Sequence, residues 1–311
     1  MEKIKEEDDE LLKEGIKIVP YSDPLYPEGL KEIVDPPPCL YLKGSFKPFS
    51  KPSVAIVGSR NATIYGLNVA ETISKDLALN GVTIVSGLAR GIDSSAHKGS
   101  LCVEGAQIGV TGTGIDIVYP KDNEKLFEDI IKKGGALISE FPPKTPPLKR
   151  NFPIRNRIIA GLSWGVLIVE AEVRSGSLVT GRFAVETGKE VFAIPHNITS
   201  SGGVGPNLLI QKGAKLVMSA QDILDEMPDF LKSKLLRYNE QLLENDIPSL
   251  PLKEEELKIL KLLRKDETRS IDSLIELGGM SLGKTLSVIS SLKIKGLCEE
   301  HPGNRFSRKE N

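Results

Sequence analysis

The chain has 311 residues, a formal net charge of -1 and three cysteines, Cys39, Cys102 and Cys298, which show no metal-ligand spacing and leave one thiol over under any pairing. This length accommodates one sizeable core and one small domain, the near-zero charge confines any nucleic-acid contact to a local patch, and the cysteine usage fits a reducing compartment. The acidic opening MEKIKEEDDE is unlike a signal peptide, and no apolar run approaches the roughly 18 residues of a membrane span, so a soluble, cytoplasmic protein with no membrane contact is expected.

Residues 1–14 read as a charged tail. Residues 15–52 hold short apolar pieces broken by Tyr26-Pro27 and by Pro36, Pro37 and Pro38, which predicts a lead-in packed on the sheet rather than long helices. Val54, Ala55, Ile56 and Val57 form a continuous apolar run, the pattern of a strand covered on both faces. Gly58, Ser59 and Arg60 follow as a turn that combines backbone freedom, a hydroxyl and a fixed charge suited to phosphate oxygens. The turn lacks the G-x-G-x-x-G spacing of dinucleotide sites and the G-x-x-x-x-G-K-[ST] of a P-loop, so no nucleotide cofactor is expected. A strand-end turn with an incidental arginine fits the same letters.

A helix over 66–79 puts Val69, Ile73 and Leu77 on one face and stops before Gly81. The alternation then repeats through a strand at 83–86, a turn at 87–91, a helix capped by Asp93 and running to 101, and a strand at 107–110 ahead of Gly112-Thr113-Gly114. Further pairs follow: helix 124–133 and strand 136–139, strand 166–170 and helix 178–187, strand 191–194 and helix 207–212, strand 215–217 and helix 220–226. This order predicts an α/β fold, a doubly wound and mostly parallel Rossmann-like sheet of six or more strands over 15–227. Such sheets bind ligands at the carboxyl ends of their strands, where Gly58, Gly87 and Gly112 all fall.

Residues 228–252 mix prolines, charges and scattered apolar residues as a linker does. From 253 to 311, helices at 254–263, 271–277 and 281–293 and a hairpin around His301-Pro302-Gly303-Asn304 suggest a small winged helix. Its third helix carries Lys284 and Lys293 with few other donors, and Glu299 and Glu300 flank the wing, so protein contact is as good a reading as DNA binding.

The chemistry-bearing stretches lie in the first domain. Between residues 141 and 169, Lys144, Lys149, Arg150, Arg155 and Arg157 occur with no acid among them, and Phe152 sits within the cluster. A flat ring interleaved with phosphate-binding charges suits unpaired nucleic acid, where stacking contributes ~1–3 kcal/mol per base. The plainer alternative is that Phe152 and Pro153 plug the core ahead of Ile158, Ile159 and Leu162. Ser175, Gly176 and Ser177 open a helix with Thr180 one turn in, so free N–H groups and hydroxyls there favour an anion; an N-capping turn without a ligand is the alternative. His97, His196 and His301 are scattered and neither H-E-x-x-H nor G-x-S-x-G occurs, so no catalytic residue and no metal site is expected. Glu170 and Glu186 stand out among the carboxylates, and Glu186, beyond Ser177 and Thr180 on the same helix, leaves one enzymatic reading open: a nucleotide N-glycosidase.

Taken together, YPEGLKEIVDPPPCLYLKG at 26–44, GSRNATIYG at 58–66, SGLARGIDSSAH at 86–97, GTGIDIVYP at 112–120, SEFPP, FPIRNRIIAGLS, VEAEVRSGSLVTGRFAVETGKEVFAIP and GPNLLIQKGA resemble the DNA-processing protein A (DprA/Smf) family. The resemblance implies a non-enzymatic protein whose Rossmann-like domain binds single-stranded DNA, protects incoming DNA and helps load the RecA recombinase in natural transformation. It carries the strand-binding role to Gly58, Ser59 and Arg60, and to the basic and aromatic residues around Lys149, Phe152, Arg155 and Arg157; Arg150 and Asn156 within that stretch, and Ser175, Gly176, Ser177 and Thr180 at their helix start, are expected in the same pocket. It also implies a homodimer, formed near 208–214. Two features depart from the family pattern: only a short tail precedes Gly15, and His196 stands where a glycine commonly follows the proline. The competing enzyme class, the lysine-decarboxylase-like phosphoribohydrolases, typically carries P-G-G-x-G-T where this chain reads Arg174-Ser175-Gly176-Ser177.

Overall fold

The computed structural model describes residues 11–235, 252–264 and 268–309, so most of the expected tail and linker lies outside the described residues. The chain divides into two compact units, residues 1–239 and 240–311. In chain order the first comprises β1 (Ile16–Pro20), α1 (Glu28–Lys31), β2 (Cys39–Gly44), β3 (Ser53–Val57), α2 (Ile64–Leu79), β4 (Thr83–Ser86), α3 (Ile92–Cys102), β5 (Gln107–Val110) and α4 (Glu124–Lys132). It continues with β6 (Ala136–Ser139), α5 (Asn151–Leu162), β7 (Gly165–Ile168), α6 (Gly176–Glu186), β8 (Glu190–Ala193), α7 (Val204–Gln211), β9 (Lys215–Leu216) and α8 (Ala220–Glu226).

These strands form one nine-stranded sheet in the order β1-β2-β6-β5-β4-β3-β7-β8-β9. The pairs β1/β2 and β2/β6 are antiparallel and the others parallel, which gives the expected doubly wound α/β sheet. From β3 the chain steps outward through β4, β5 and β6, then returns to lay β7 on the other side of β3. The switch point of the sheet therefore lies between β3 and β7, and a crevice opens beyond their carboxyl ends.

Every residue of β3 is buried, which is why its sequence runs apolar without alternation. Ala55 and Val57 point into a cluster with Ile158, Ile159 and Ala184 from α5 and α6, while Val54 and Ile56 meet Ala70, Ile73 and Leu77 of α2 on the opposite face. Each fully buried valine or isoleucine here stabilises the fold by roughly 1.5–3 kcal/mol over an exposed one.

Residues 15–52 differ from expectation. They supply β1 and β2, which extend the sheet instead of resting on it. The prolines at 36–38 exclude helices but lie between the strands, and Leu40 and Leu42 alternate with half-buried neighbours in the period-two pattern of a strand. Asp93 is not the cap of its helix: Gly91 holds that position at φ 77, and a Cβ there would meet the Ser59 carbonyl oxygen. Beyond Pro228, where a linker is expected, Leu231 and Leu235 still pack against the first unit's core.

One buried group predicts a pH response. His97 on α3 is fully buried, with Nδ1 2.9 Å from the Gln107 side chain. Burial lowers its pKa from 6.5 to about 4, opposed only in part by the Gln107 side chain. Between these values the unfolded chain binds a proton that the folded chain refuses, so stability is lost as pH falls through this window, by up to about 3 kcal/mol from this group. Urea midpoints at pH 7 and pH 4.5 should differ less in His97→Gln than in the native protein. An equal difference in both would remove His97 as the cause.

The second unit has α9 (Glu254–Leu262), β10 (Arg269–Ser270), α10 (Ile271–Gly278), α11 (Leu282–Ile294), β11 (Cys298–His301) and β12 (Arg305–Arg308). Its three strands pair in the order β10-β12-β11, and Ile259, Leu260, Leu274, Ile289, Leu292 and Phe306 form its core. This is the expected winged helix. Lys284, Lys293 and Lys295, at the third helix and its end, each pair with a glutamate, respectively Glu255, Glu300 and Glu256. That helix therefore presents little uncompensated positive charge.

Candidate nucleic-acid interface

The crevice between β3 and β7 is a cleft of about 650 Å³. Its walls are the turn after β3, the loop that leads into α5 (Pro147, Lys149) with the first residues of that helix, and the loop from β7 into α6. Gly58, Ser59, Arg60, Lys149, Phe152, Arg155, Asn156, Ser175, Gly176, Ser177 and Thr180 all line it. Residues separated by more than a hundred positions thus meet because β3 pairs directly with β7.

Little of the backbone in the turn after β3 is left for a ligand. The Ser59 N–H donates to the Glu170 carbonyl at 2.8 Å, the Asn61 N–H to Ser59 Oγ at 3.1 Å, and the Thr63 N–H to Glu170 Oε2 at 2.9 Å. The Thr63 hydroxyl donates to the other Glu170 oxygen, and the Gly58 N–H is taken by Asp93. A backbone carbonyl, a hydroxyl and the carboxylates of Glu170 and Asp93 therefore occupy most of the donors that a dinucleotide fold offers to pyrophosphate. Anion recognition falls instead to side chains, foremost the exposed Arg60, and to the start of α6. There Ser175 Oγ accepts the Ser177 N–H at 3.3 Å and lies 2.8 Å from Ser177 Oγ, a neutral cap that leaves the positive helix end uncancelled.

Arg60 and Phe152 act as a pair: the guanidinium carbon lies 5.3 Å from the ring centroid, within cation–π range. Tyr119 stands 5.4 Å from Phe152, centroid to centroid, with the ring planes 40° apart. Two aromatic rings and a guanidinium thus form one wall. Lys149 and Arg174 add exposed charge around the cleft, and Glu172 opposes them.

Arg155 is different in kind. Only 3% exposed, it donates to the carbonyls of Gly87 (2.8 Å) and Val110 and to Asn156 Oδ1 (3.2 Å), tying the ends of β4 and β5 to α5. Burial brings its pKa down to about 10, with the nearby Asp93 charge resisting, so it stays cationic at neutral pH. Asp93 is itself pushed up by burial, against the charge of Arg155 and the Ala89 and Gly58 N–H groups. Asn156 in turn donates to the Gly176 carbonyl at 3.1 Å and holds α5 and α6 in register.

Two of the expected site residues do not line the cleft. Arg150 is exposed but lies outside the lining, at the N-cap of α5. Arg157 is 8% exposed and grips both oxygens of Glu140 at 2.6 and 2.7 Å. The helical period explains this: Phe152, Arg155 and Asn156 share a face as i, i+3 and i+4, whereas Arg157 at i+5 is turned about 140° away. Glu186 is exposed at the far end of α6, about 14 Å along the helix from Ser177. That places the carboxylate needed by the N-glycosidase reading away from the cleft. Sequence reasoning missed Tyr119, Asn61, Glu172 and Arg174. The signal for Tyr119 was its place in the loop after β5, the third glycine-containing strand end on the same edge.

Residues 17–228 match the family model described as DNA recombination-mediator protein A. The chain belongs to this family. Residues 246–304 match the DprA winged helix domain, so both units fall within the DNA recombination-mediator protein A architecture. Protein Smf of Escherichia coli (strain K12) is 39% identical over 288 residues, covering 92% of this chain and 76% of that relative. DNA processing protein DprA of Bacillus subtilis is 45% identical over 218 residues, 70% of this chain and 73% of the relative. Among solved structures, DprA from Streptococcus pneumoniae superposes with a TM-score of 0.65 at 44% identity, covering 71% of this chain and 78% of that one. DNA processing protein A from Helicobacter pylori, whose structure was described for its single-stranded DNA binding mode, gives a TM-score of 0.62 at 31% identity over 70% of this chain and 96% of that one.

Proposed function

We propose that this DNA-processing family member binds single-stranded DNA in the cleft at the β3/β7 switch point, and that it protects incoming strands and helps load the RecA recombinase during natural transformation. The observation that carries the reading is the Phe152 ring under Arg60, flanked by Lys149 and by the serine-rich start of α6. A ring for stacking and charges for the backbone are the two components of single-strand recognition. The relative from Helicobacter pylori, described for its single-strand binding, supports it. The reaction in this reading is binding alone and needs no cofactor; of the carboxylates in the cleft lining, buried Asp93 is taken up beside Arg155 and the Ala89 N–H, and Glu172 is exposed at its edge. Exposed Leu208, Leu216 and Met218 near the edge strand β9 support a homodimer; a cytoplasmic location belongs to the same proposal.

A competition titration tests this. The protein is expected to prefer a thymidine oligomer to the corresponding duplex, and Lys149→Ala to weaken strand binding by about threefold or more at low salt. Equal affinity for duplex and single strand, or no effect of recombinase addition on strand occupancy, would remove the respective part of the proposal. A monomer mass by light scattering would remove the homodimer.

A further inference from the structure

Although Arg157 faces away from the cleft, it fastens the loop that forms one of the cleft's walls. Its Nε donates to the Asp35 carbonyl at 3.0 Å, and its two terminal nitrogens grip Glu140. Glu140 follows β6 directly and is the last residue before the 141–150 loop, which carries Lys149 to the cleft and leads into Phe152. The loop contains Pro142, Pro143, Pro146 and Pro147, which have no N–H to donate. Its attachment therefore depends on few bonds. One of them lies at its middle, where Asp116 accepts the Lys144 N–H on both carboxylate oxygens, at 2.8 and 3.0 Å, and holds Lys144 at φ 65. Beside it the Gly114 N–H donates to the Thr145 carbonyl at 2.9 Å.

We propose that Arg157 with Glu140, and Asp116 independently, are positioning residues that hold the 141–150 loop and so keep Lys149 against the bound strand. The proposal rests on the cleft being the strand site. None of the three touches DNA in this scheme. The Arg157–Glu140 pair is bidentate and buried, so it holds its geometry firmly and a lysine does not replace it. Asp116 is exposed, so its removal leaves the core intact.

Charge separates positioning from direct contact. Both fasteners on the loop side are acids, and removing an acid beside a polyanion site strengthens binding if only the electrostatic field matters. Positioning predicts the opposite sign. In the full chain, well below its melting temperature, Glu140→Gln, Asp116→Ala and Arg157→Lys should each weaken binding of a thymidine oligomer by about threefold or more and lower the salt slope toward that of Lys149→Ala. Amide exchange within 141–150 should quicken in all three. Should Glu140→Gln and Asp116→Ala bind as tightly as the native protein or more tightly, the positioning role is overturned; Asp116→Ala decides it alone if the buried pair does not tolerate change. If Lys149→Ala itself binds like the native protein, it is the strand-site reading that fails.

Discussion

Arg60→Ala is expected to lower affinity for a thymidine oligomer by about tenfold or more at low salt, and to reduce the slope of log affinity against log salt by about 0.7, the share of one phosphate contact on a single strand. The side chain does two things in the cleft: its charge is exposed toward the strand path, and it covers the Phe152 ring at 5.3 Å. Phe152→Ala provides the contrast. It should cost ~1–3 kcal/mol, about 5- to 150-fold in affinity, while leaving the salt slope unchanged, because a stacked ring neutralises no phosphate. Salt titrations of both variants check this. Native affinity in both would end the assignment of this wall to DNA, and an equal fall in slope for both would show that Phe152 acts only by placing Arg60.

A second large effect is expected in stability. Arg155→Ala should lower the unfolding free energy by about 3–5 kcal/mol, because it leaves the buried Asp93 without its compensating charge and strips the Gly87 and Val110 carbonyls of their donor. Urea denaturation would show the loss as a lower midpoint. Adding Asp93→Asn to Arg155→Met should recover much of it, since the charge left behind, more than the lost contacts, sets the cost. A loss below about 1 kcal/mol in Arg155→Ala, or no recovery in the double variant, would show that the carboxylate is relieved in another way. The residue that reads in sequence as a phosphate ligand is thus above all the keystone under the cleft floor.

Much of the site was legible before any fold was known. A buried strand followed by Gly58, Ser59 and Arg60, and a helix opened by Ser175, Gly176 and Ser177, are local patterns with local causes: apolar continuity, turn residues and capping chemistry. Arg157 was not legible in the same way. A charge cluster along the chain does not distinguish faces, and only the helical period, applied once α5 is known to start at Asn151, turns Arg157 toward Glu140. The strands β1 and β2 escaped for a related reason: short period-two runs among prolines carry weak signals until an edge exists for them to join.

The sequence by itself determined the alternation of strands and helices, the glycine turns at their carboxyl ends and the residue types able to hold a strand of nucleic acid. Which of those turns face one another was decided only by the tertiary structure. The return of the chain from the sheet's outer strands to pair β7 with β3 is a choice of topology, made by burying both faces of one sheet, and no local periodicity encodes it. That pairing sets Ser175 beside Arg60, and the same packing leaves Arg60 in the cleft while it draws Arg155 beneath the floor and Arg157 behind the wall.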